Sequence, residues 1–248
     1  MLPAKENALP PERKDIHNSE VPVLCRSCEA RHRGMCGALD PDQLAALAKT
    51  THKARHAPGT ELVGDSTEVH SYANVMRGVV KLSKVLEDGR QQLVGLQFAP
   101  DFLGRLFGDA SAVTAEAASE VDLCVVPRST LEQLVAQSPA LEHKLMQQTL
   151  RELDEARAWM VTLGRKTAQE KVASFLHLIA THADPDIDAS GRVSFDLPLS
   201  RLDIADFLGL TIETVSRQMT QLRRMGVIEV NHRHVEVPDL ERLEALCG

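Results

Sequence analysis

A chain of 248 residues, 43% apolar and 25% charged, has room for one large or two ordinary globular domains. No run of 18 apolar residues occurs, so no helical membrane span is expected. Residues 1–20 lack the apolar core of a secretory signal, and the chain is expected in the cytoplasm. A net charge of −7 argues against a globally basic nucleic-acid binder but leaves room for a local cationic face.

Four zones follow along the chain: residues 1–37, 38–137, 138–163 and 164–248. The first opens with a polar stretch containing Pro3 and Pro10, expected to be a disordered arm. It then carries Cys25, Cys28 and Cys36 within twelve residues, while Cys124 and Cys247 lie far downstream. Cytosolic thiols are seldom structural disulfides, and the C-x2-C-x7-C spacing points to a metal site. Four thiolates, counting Cys124, suit either a [4Fe–4S] cluster or tetrahedral zinc, and spacing does not separate the two. Cys247 has no local partner and reads as a free thiol. His32 reads as a solvated loop residue. Arg26, Arg31 and Arg33 are candidates to offset the charge of a thiolate site.

In the second zone Asp40 is placed to cap a helix reaching Leu47. Short apolar runs follow, separated by turn signals at Pro58-Gly59, Gly64-Asp65, Gly78, Asp88-Gly89 and Pro100-Asp101. Residues 79–86 and 91–98 flank Asp88-Gly89, which predicts a hairpin closed by a type I′ turn. Residues 121–127, carrying Cys124, read as the last strand. Many short strands at this spacing predict an antiparallel roll or barrel.

The third zone is helical. Ser129 is placed to cap a helix ending at Ala136. Ser138-Pro139 then supplies a cap and a first-turn proline for a long helix reaching Leu163. Met146, Thr149, Leu153, Ala156, Met160 and Leu163 recur at spacings of three and four, with Leu150 beside the polar Thr149. This is the seam of a two-stranded coiled coil and predicts a homodimer.

The fourth zone begins with an amphipathic helix over 168–181, a polar loop over 184–191 and a strand over 193–197. Ser200 and Asp203 form a capping-box signature. Ile204, Ala205, Leu208 and Leu210 give a short helix its apolar face, and Gly209 supplies a tight turn. Thr211 caps a second helix to about Met225, with Ile212, Val215, Met219 and Leu222 as its buried stripe and Gly226 as its stop. Glu213, Ser216, Arg217, Thr220, Gln221 and Arg224 lie on the other face; Thr214 belongs to the same first turn. Two short helices joined by a glycine turn form a helix-turn-helix, whose second helix enters the major groove by its N-terminal part. There Arg217 can pair with guanine N7 and O6, Glu213 can accept from cytosine N4, and Ser216 can serve a base or a phosphate. Arg223, Arg224 and Arg233 are placed to meet phosphates. Residues 227–230 and 235–237 flank a turn and read as a two-stranded wing. The expected partner is double-stranded DNA.

This combination resembles the CRP/FNR superfamily: an α+β chain with an N-terminal antiparallel β-roll sensor domain, a long dimerisation helix and a C-terminal winged helix-turn-helix. The segment Thr211-Ile-Glu-Thr-Val-Ser-Arg217 is similar to the FNR-type recognition helix. That resemblance implies that Glu213, Ser216 and Arg217 read a palindrome of TTGAT half-sites. It also implies a [4Fe–4S] cluster on Cys25, Cys28, Cys36 and Cys124, oxygen sensing, and contact with RNA polymerase. Cyclic-nucleotide-binding relatives carry a Gly-Glu pair and a later Arg-Ser or Arg-Thr pair. Here Gly104 is followed by Arg105, and residues 110–119 contain no arginine, so no cyclic nucleotide is expected. A zinc-containing regulator, or a haem-containing one using a residue such as His52, His56 or His70, is the alternative. No nucleophile and base are placed together, so the chain is not expected to be an enzyme.

Overall fold

The computed structural model describes residues 22, 25, 28–183, 186–187 and 192–248. The predicted N-terminal arm, Arg26 and most of the predicted 184–191 loop lie outside the described residues.

A short helix α1 (Glu29–His32) and a 3-10 turn (Met35–Ala38) lead into α2 (Pro41–Thr50). Asp40 caps α2 in a reciprocal capping box with Gln43, and Pro41 occupies its first turn. The eight strands that follow are β1 (His52–His56), β2 (Glu61–Val63), β3 (Ser71–Arg77), β4 (Val80–Val85), β5 (Gln91–Gln97), β6 (Phe102–Leu103), β7 (Thr114–Ala117) and β8 (Val121–Pro127). They make two antiparallel four-stranded sheets, ordered β1-β8-β3-β6 and β2-β7-β4-β5. Their inner faces bury Ala73, Val75, Val80, Leu103, Ala115, Ala117, Val121 and Leu123 together. This is the expected roll.

Strand alternation gives β3 and β8 a second buried face. Tyr72 and Val126 point outward, into a cluster with Met35, Cys36, Leu44, Leu47, Leu131, Leu141 and Leu145. The cysteine segment and three helices therefore cover this side of the roll.

Two local expectations need correction. Glu87 and Asp88 have no positive φ, and only Gly89 does, at 83°. The Gly89 amide bonds the Leu86 carbonyl, and the Leu86 amide bonds the Arg90 carbonyl. The hairpin thus closes with a three-residue loop ending in a left-handed glycine, not a type I′ turn. Helix α3 (Arg128–Gln137) starts directly from β8, with Pro127 at its cap position and no side-chain cap, so Ser129 lies inside the helix.

Helix α4 (Pro139–Arg165) is capped by Ser138. Its inner face buries Leu141, Leu145, Gln148 and Thr162. Helix α5 (Ala168–His182) begins in a Thr167–Glu170 capping box. Then come β9 (Asp186–Ile187), β10 (Val193–Asp196), α6 (Arg201–Leu208), α7 (Ile212–Arg224), β11 (Glu229–Asn231), β12 (His234–Val237) and α8 (Leu240–Glu244). The last sheet runs β11-β12-β10-β9.

The core of this C-terminal part includes three residues of the roll, Val79, Leu93 and Phe98. Polar contacts reinforce the junction. Lys81 Nζ on β4 lies 2.9 Å from both Glu116 and Asp203, the latter on α6. Gln92 Nε2 donates to the Asp206 carbonyl at 2.6 Å. Trp159 of α4 packs on Phe207 of α6 with ring centroids 4.6 Å apart. Helix α6 is thus held by the roll and by α4 at once.

Candidate nucleic-acid interface and metal centre

The two helices of the DNA-reading motif form for local reasons. Ser200 and Asp203 make the capping box of α6, each backbone N–H donating to the other side chain at 3.1 Å. Gly209 ends α6 with φ 60°, a left-handed geometry that favours glycine. Thr211 accepts from the Thr214 amide at 3.2 Å and starts α7. Val215, Met219 and Leu222 anchor α7 in the core. Ile212, expected in that stripe, is instead 41% exposed. The last turn of α7 is closed by Arg242, whose guanidinium donates to the Met225 carbonyl at 2.6 Å. That contact spans too much sequence for any local pattern to reveal it.

Glu213, Ser216, Arg217, Arg223 and Arg224 are exposed, and Thr220 is half-buried. Ser216, Arg217, Thr220, Gln221 and Arg224 line one shallow concavity. Arg217, Arg223 and Arg224 have no ion-pair partner among the described residues, leaving three guanidinium groups for an external anion. The Glu213 carboxyl is held below its usual range by its own backbone amide and the Thr211 hydroxyl. It is therefore an ionised acceptor. Thr211 and Thr214 share a hydrogen bond at 3.1 Å, and Thr220 Oγ1 donates to the Ser216 carbonyl at 2.9 Å. These three hydroxyls serve α7 itself before any ligand.

The wing is β11 and β12, joined at His232 and Arg233, with His232 at φ 56°. Arg233 does not reach outward as expected. Its Nε and Nη2 both donate to the Leu197 carbonyl, at 3.1 and 2.6 Å, which fixes the wing to the loop before α6.

On α4, Met146, Leu150, Leu153, Ala156 and Met160 are exposed, and Leu163 is half-buried. Met146, Leu150, Leu153 and Met160 range from 44 to 72% exposed, with Val161 at 59%. This apolar stripe is left exposed along the 27-residue helix. Val161 was not part of the expected seam.

The four thiols come from three places. Cys25 and Cys28 precede α1, Cys36 sits in the 3-10 turn, and Cys124 is on β8. Cys28 and Cys36 are buried, whereas Cys25 and Cys124 are half-buried. Cys25, Cys28 and Cys124 all lie close enough to Cys36 to raise its pKa electrostatically, but burial is the larger cause. Burial also lifts Cys25, and it lifts Cys124 to about 11, with Cys28 and Cys25 adding to the latter. The fold has therefore collected thiols that resist ionising unless a cation compensates. Among the described residues, no three His, Cys, Asp or Glu side chains are already drawn together as a ligand set for one ion. Cys247 is separate, with Sγ 3.5 Å from the Leu243 carbonyl. His32, His52 and His70 are exposed, and His56 is half-buried.

Similarity to known proteins follows the same architecture. Residues 54–138 match the cyclic nucleotide-binding domain family, and residues 170–246 match the Crp-like helix-turn-helix domain family. A probable transcriptional activator of Rhizobium leguminosarum bv. viciae is 54% identical, covering 95% of this chain and 98% of that one. The transcriptional activator protein FnrL of Cereibacter sphaeroides is 39% identical over 92% of this chain and 95% of its own. The solved structure of FixK2 from Bradyrhizobium japonicum superposes with a TM-score of 0.72 at 32% identity, covering 80% of this chain and 98% of FixK2. These relatives are regulators rather than enzymes. The chain belongs to the CRP/FNR family of helix-turn-helix transcription regulators.

Proposed function

We propose that this regulator is an oxygen-responsive transcription activator. In this reading Cys25, Cys28, Cys36 and Cys124 hold a [4Fe–4S] cluster, and α4 pairs with a second copy. Glu213, Ser216 and Arg217 read each half of a TTGAT-type palindrome. The activator role is drawn from relatives such as FnrL, and the contact with RNA polymerase is what the family resemblance implies.

One observation carries the proposal. Met35 and Cys36 pack in the same buried cluster as Leu141 and Leu145 of α4. The thiol segment thus rests directly on the first turns of the helix whose outer stripe is unpartnered. The donor set fits the cluster: four soft sulfurs, of which burial makes Cys25, Cys36 and Cys124 resist ionising without a compensating cation. Bound there, the cluster would cross-link the 25–36 segment to β8 and be lost on exposure to oxygen. The chain's own part is mechanical. Held down, the segment fixes Met35 against Leu141 and Leu145 and so sets the pose of α4. Paired α4 helices then set the separation of the two α7 helices, as a symmetric operator requires.

No cyclic nucleotide is part of this reading. Gly104 is followed by Arg105, and residues 110–119 contain no arginine, so the Gly-Glu and Arg-Ser or Arg-Thr pairs of cyclic-nucleotide-binding relatives are missing.

The test compares a full palindrome with a single half-site under anaerobic conditions. The palindrome should bind on the order of a hundredfold tighter. Leu153→Glu should remove that advantage and give a monomer in sedimentation velocity. Equal affinity for both DNAs in the unaltered chain overturns the dimeric reading.

A further inference from the structure

Asn74 is fully buried, and among the described residues neither its amide nitrogen nor its carbonyl oxygen has a hydrogen-bond partner. A buried amide in that state is a liability that a stable fold rarely keeps without use. Its position suggests the use. Ala73 and Val75 belong to the roll interior, whereas Tyr72 belongs to the outer cluster with Cys36. The two-residue period of a strand therefore puts Asn74 on the outer face, beneath the cysteine segment. The β3–β8 register sets Asn74 directly opposite Cys124. Directly opposed residues share a face and have adjacent Cβ atoms. Helix α1, which links Cys28 to the Cys36 turn, packs over β3 as well.

We propose that Asn74 is a positioning residue of the thiolate site, its amide N–H donating to sulfur at or beside the ligated Cys124. The inference rests on the cluster reading above and deepens it. A neutral donor there disperses negative charge on the sulfur, which raises the reduction potential of a thiolate-bound cluster and slows its loss. With no ligated sulfur to donate to, the same side chain has no partner among the described residues. Removing it should therefore have opposite effects on the two forms of the protein.

The experiment uses the full chain, metal-free and anaerobically reconstituted with iron and sulfide, as wild type, Asn74→Leu and Asn74→Ser. Asn74→Leu removes the amide at similar volume, while Asn74→Ser keeps a donor. Metal-free Asn74→Leu should melt at a higher temperature than metal-free wild type. Reconstituted Asn74→Leu should have a lower midpoint potential and bleach several-fold faster in air, with Asn74→Ser between it and wild type. A metal-free variant that melts lower would mean that the amide is already paired, and would overturn the inference. So would a potential and bleaching rate equal to those of wild type, with the cluster reading left standing. Wild-type protein that takes up neither iron nor sulfide would remove both together.

Discussion

Replacing Lys81 by Met tests how the roll holds the DNA-reading domain. Lys81 is 12% exposed, and its ammonium lies 2.9 Å from carboxylates of both Glu116 and Asp203. At an effective dielectric constant of about 20, each attraction is on the order of 5 kcal/mol before desolvation. Removing one partner of a buried pair costs about 3–5 kcal/mol net. Asp203 and Glu116 keep 20% and 31% exposure, so water relieves part of the loss. A cost of about 2–3 kcal/mol is expected, or roughly 30- to 140-fold in the ratio of docked to undocked domains. The Gln92 bond to the Asp206 carbonyl and the burial of Val79, Leu93 and Phe98 remain. Docking should weaken rather than vanish. Trp159 is the only tryptophan and packs on Phe207 of α6, so its emission reports the junction without a label. In Lys81→Met its emission should shift to the red, and its urea transition should move to lower concentration. Glu116→Gln, which leaves the Asp203 contact, should lie close to wild type. A Lys81→Met protein with unchanged Trp159 emission and urea midpoint would refute the reasoning.

Two further outcomes follow from the same geometry. Arg217→Ala should cost about 1–3 kcal/mol on the cognate palindrome and relax preference at one base pair per half-site; an equal loss on random DNA in a fluorescence-anisotropy titration would reduce Arg217 to a phosphate contact. Trp159 emission should also define a pH window. Burial raises the pKa of Asp203, but bonds from Ser200 and Lys81 more than offset it and leave it below the usual range. Its contribution is therefore present above the unfolded value of about 3.9 and lost as pH falls through the lower folded value. Burial lowers Lys81, but Asp203 and Glu116 more than offset it. That contribution is present below about pH 10.4 and lost as pH rises through the higher folded value. The junction should hold between about pH 4 and pH 10, and loosening near neutrality would contradict the assignment.

What could be read from the sequence was what local chemistry decides. Ser200, Gly209 and Thr211 fix caps and a turn within a few residues, so both DNA-reading helices were legible, as was the face bearing Glu213, Ser216 and Arg217. The long helix was legible from Ser138, Pro139 and its seam. Turn details were less so: one extra residue in the loop, Glu87, changed the closure at Gly89, and a helix starting straight from β8 left Ser129 with no capping role. Contacts between distant parts of the chain left no local signal. Lys81 and Asp203 are 122 residues apart, and only strand register brings Asn74 opposite Cys124. Arg233 looked like a phosphate ligand because its exposed turn was readable but the Leu197 carbonyl beside it was not.

The central claim is that a cluster on Cys25, Cys28, Cys36 and Cys124 governs DNA binding. The most direct measurement follows one anaerobically purified sample through visible absorption, iron and sulfide analysis, and affinity for the palindrome, before and after exposure to air. The account predicts a brown protein with about four irons and four sulfides per chain, whose colour and high affinity disappear together in air. A colourless protein with one zinc per chain, or a brown one whose affinity for DNA survives bleaching, would contradict it.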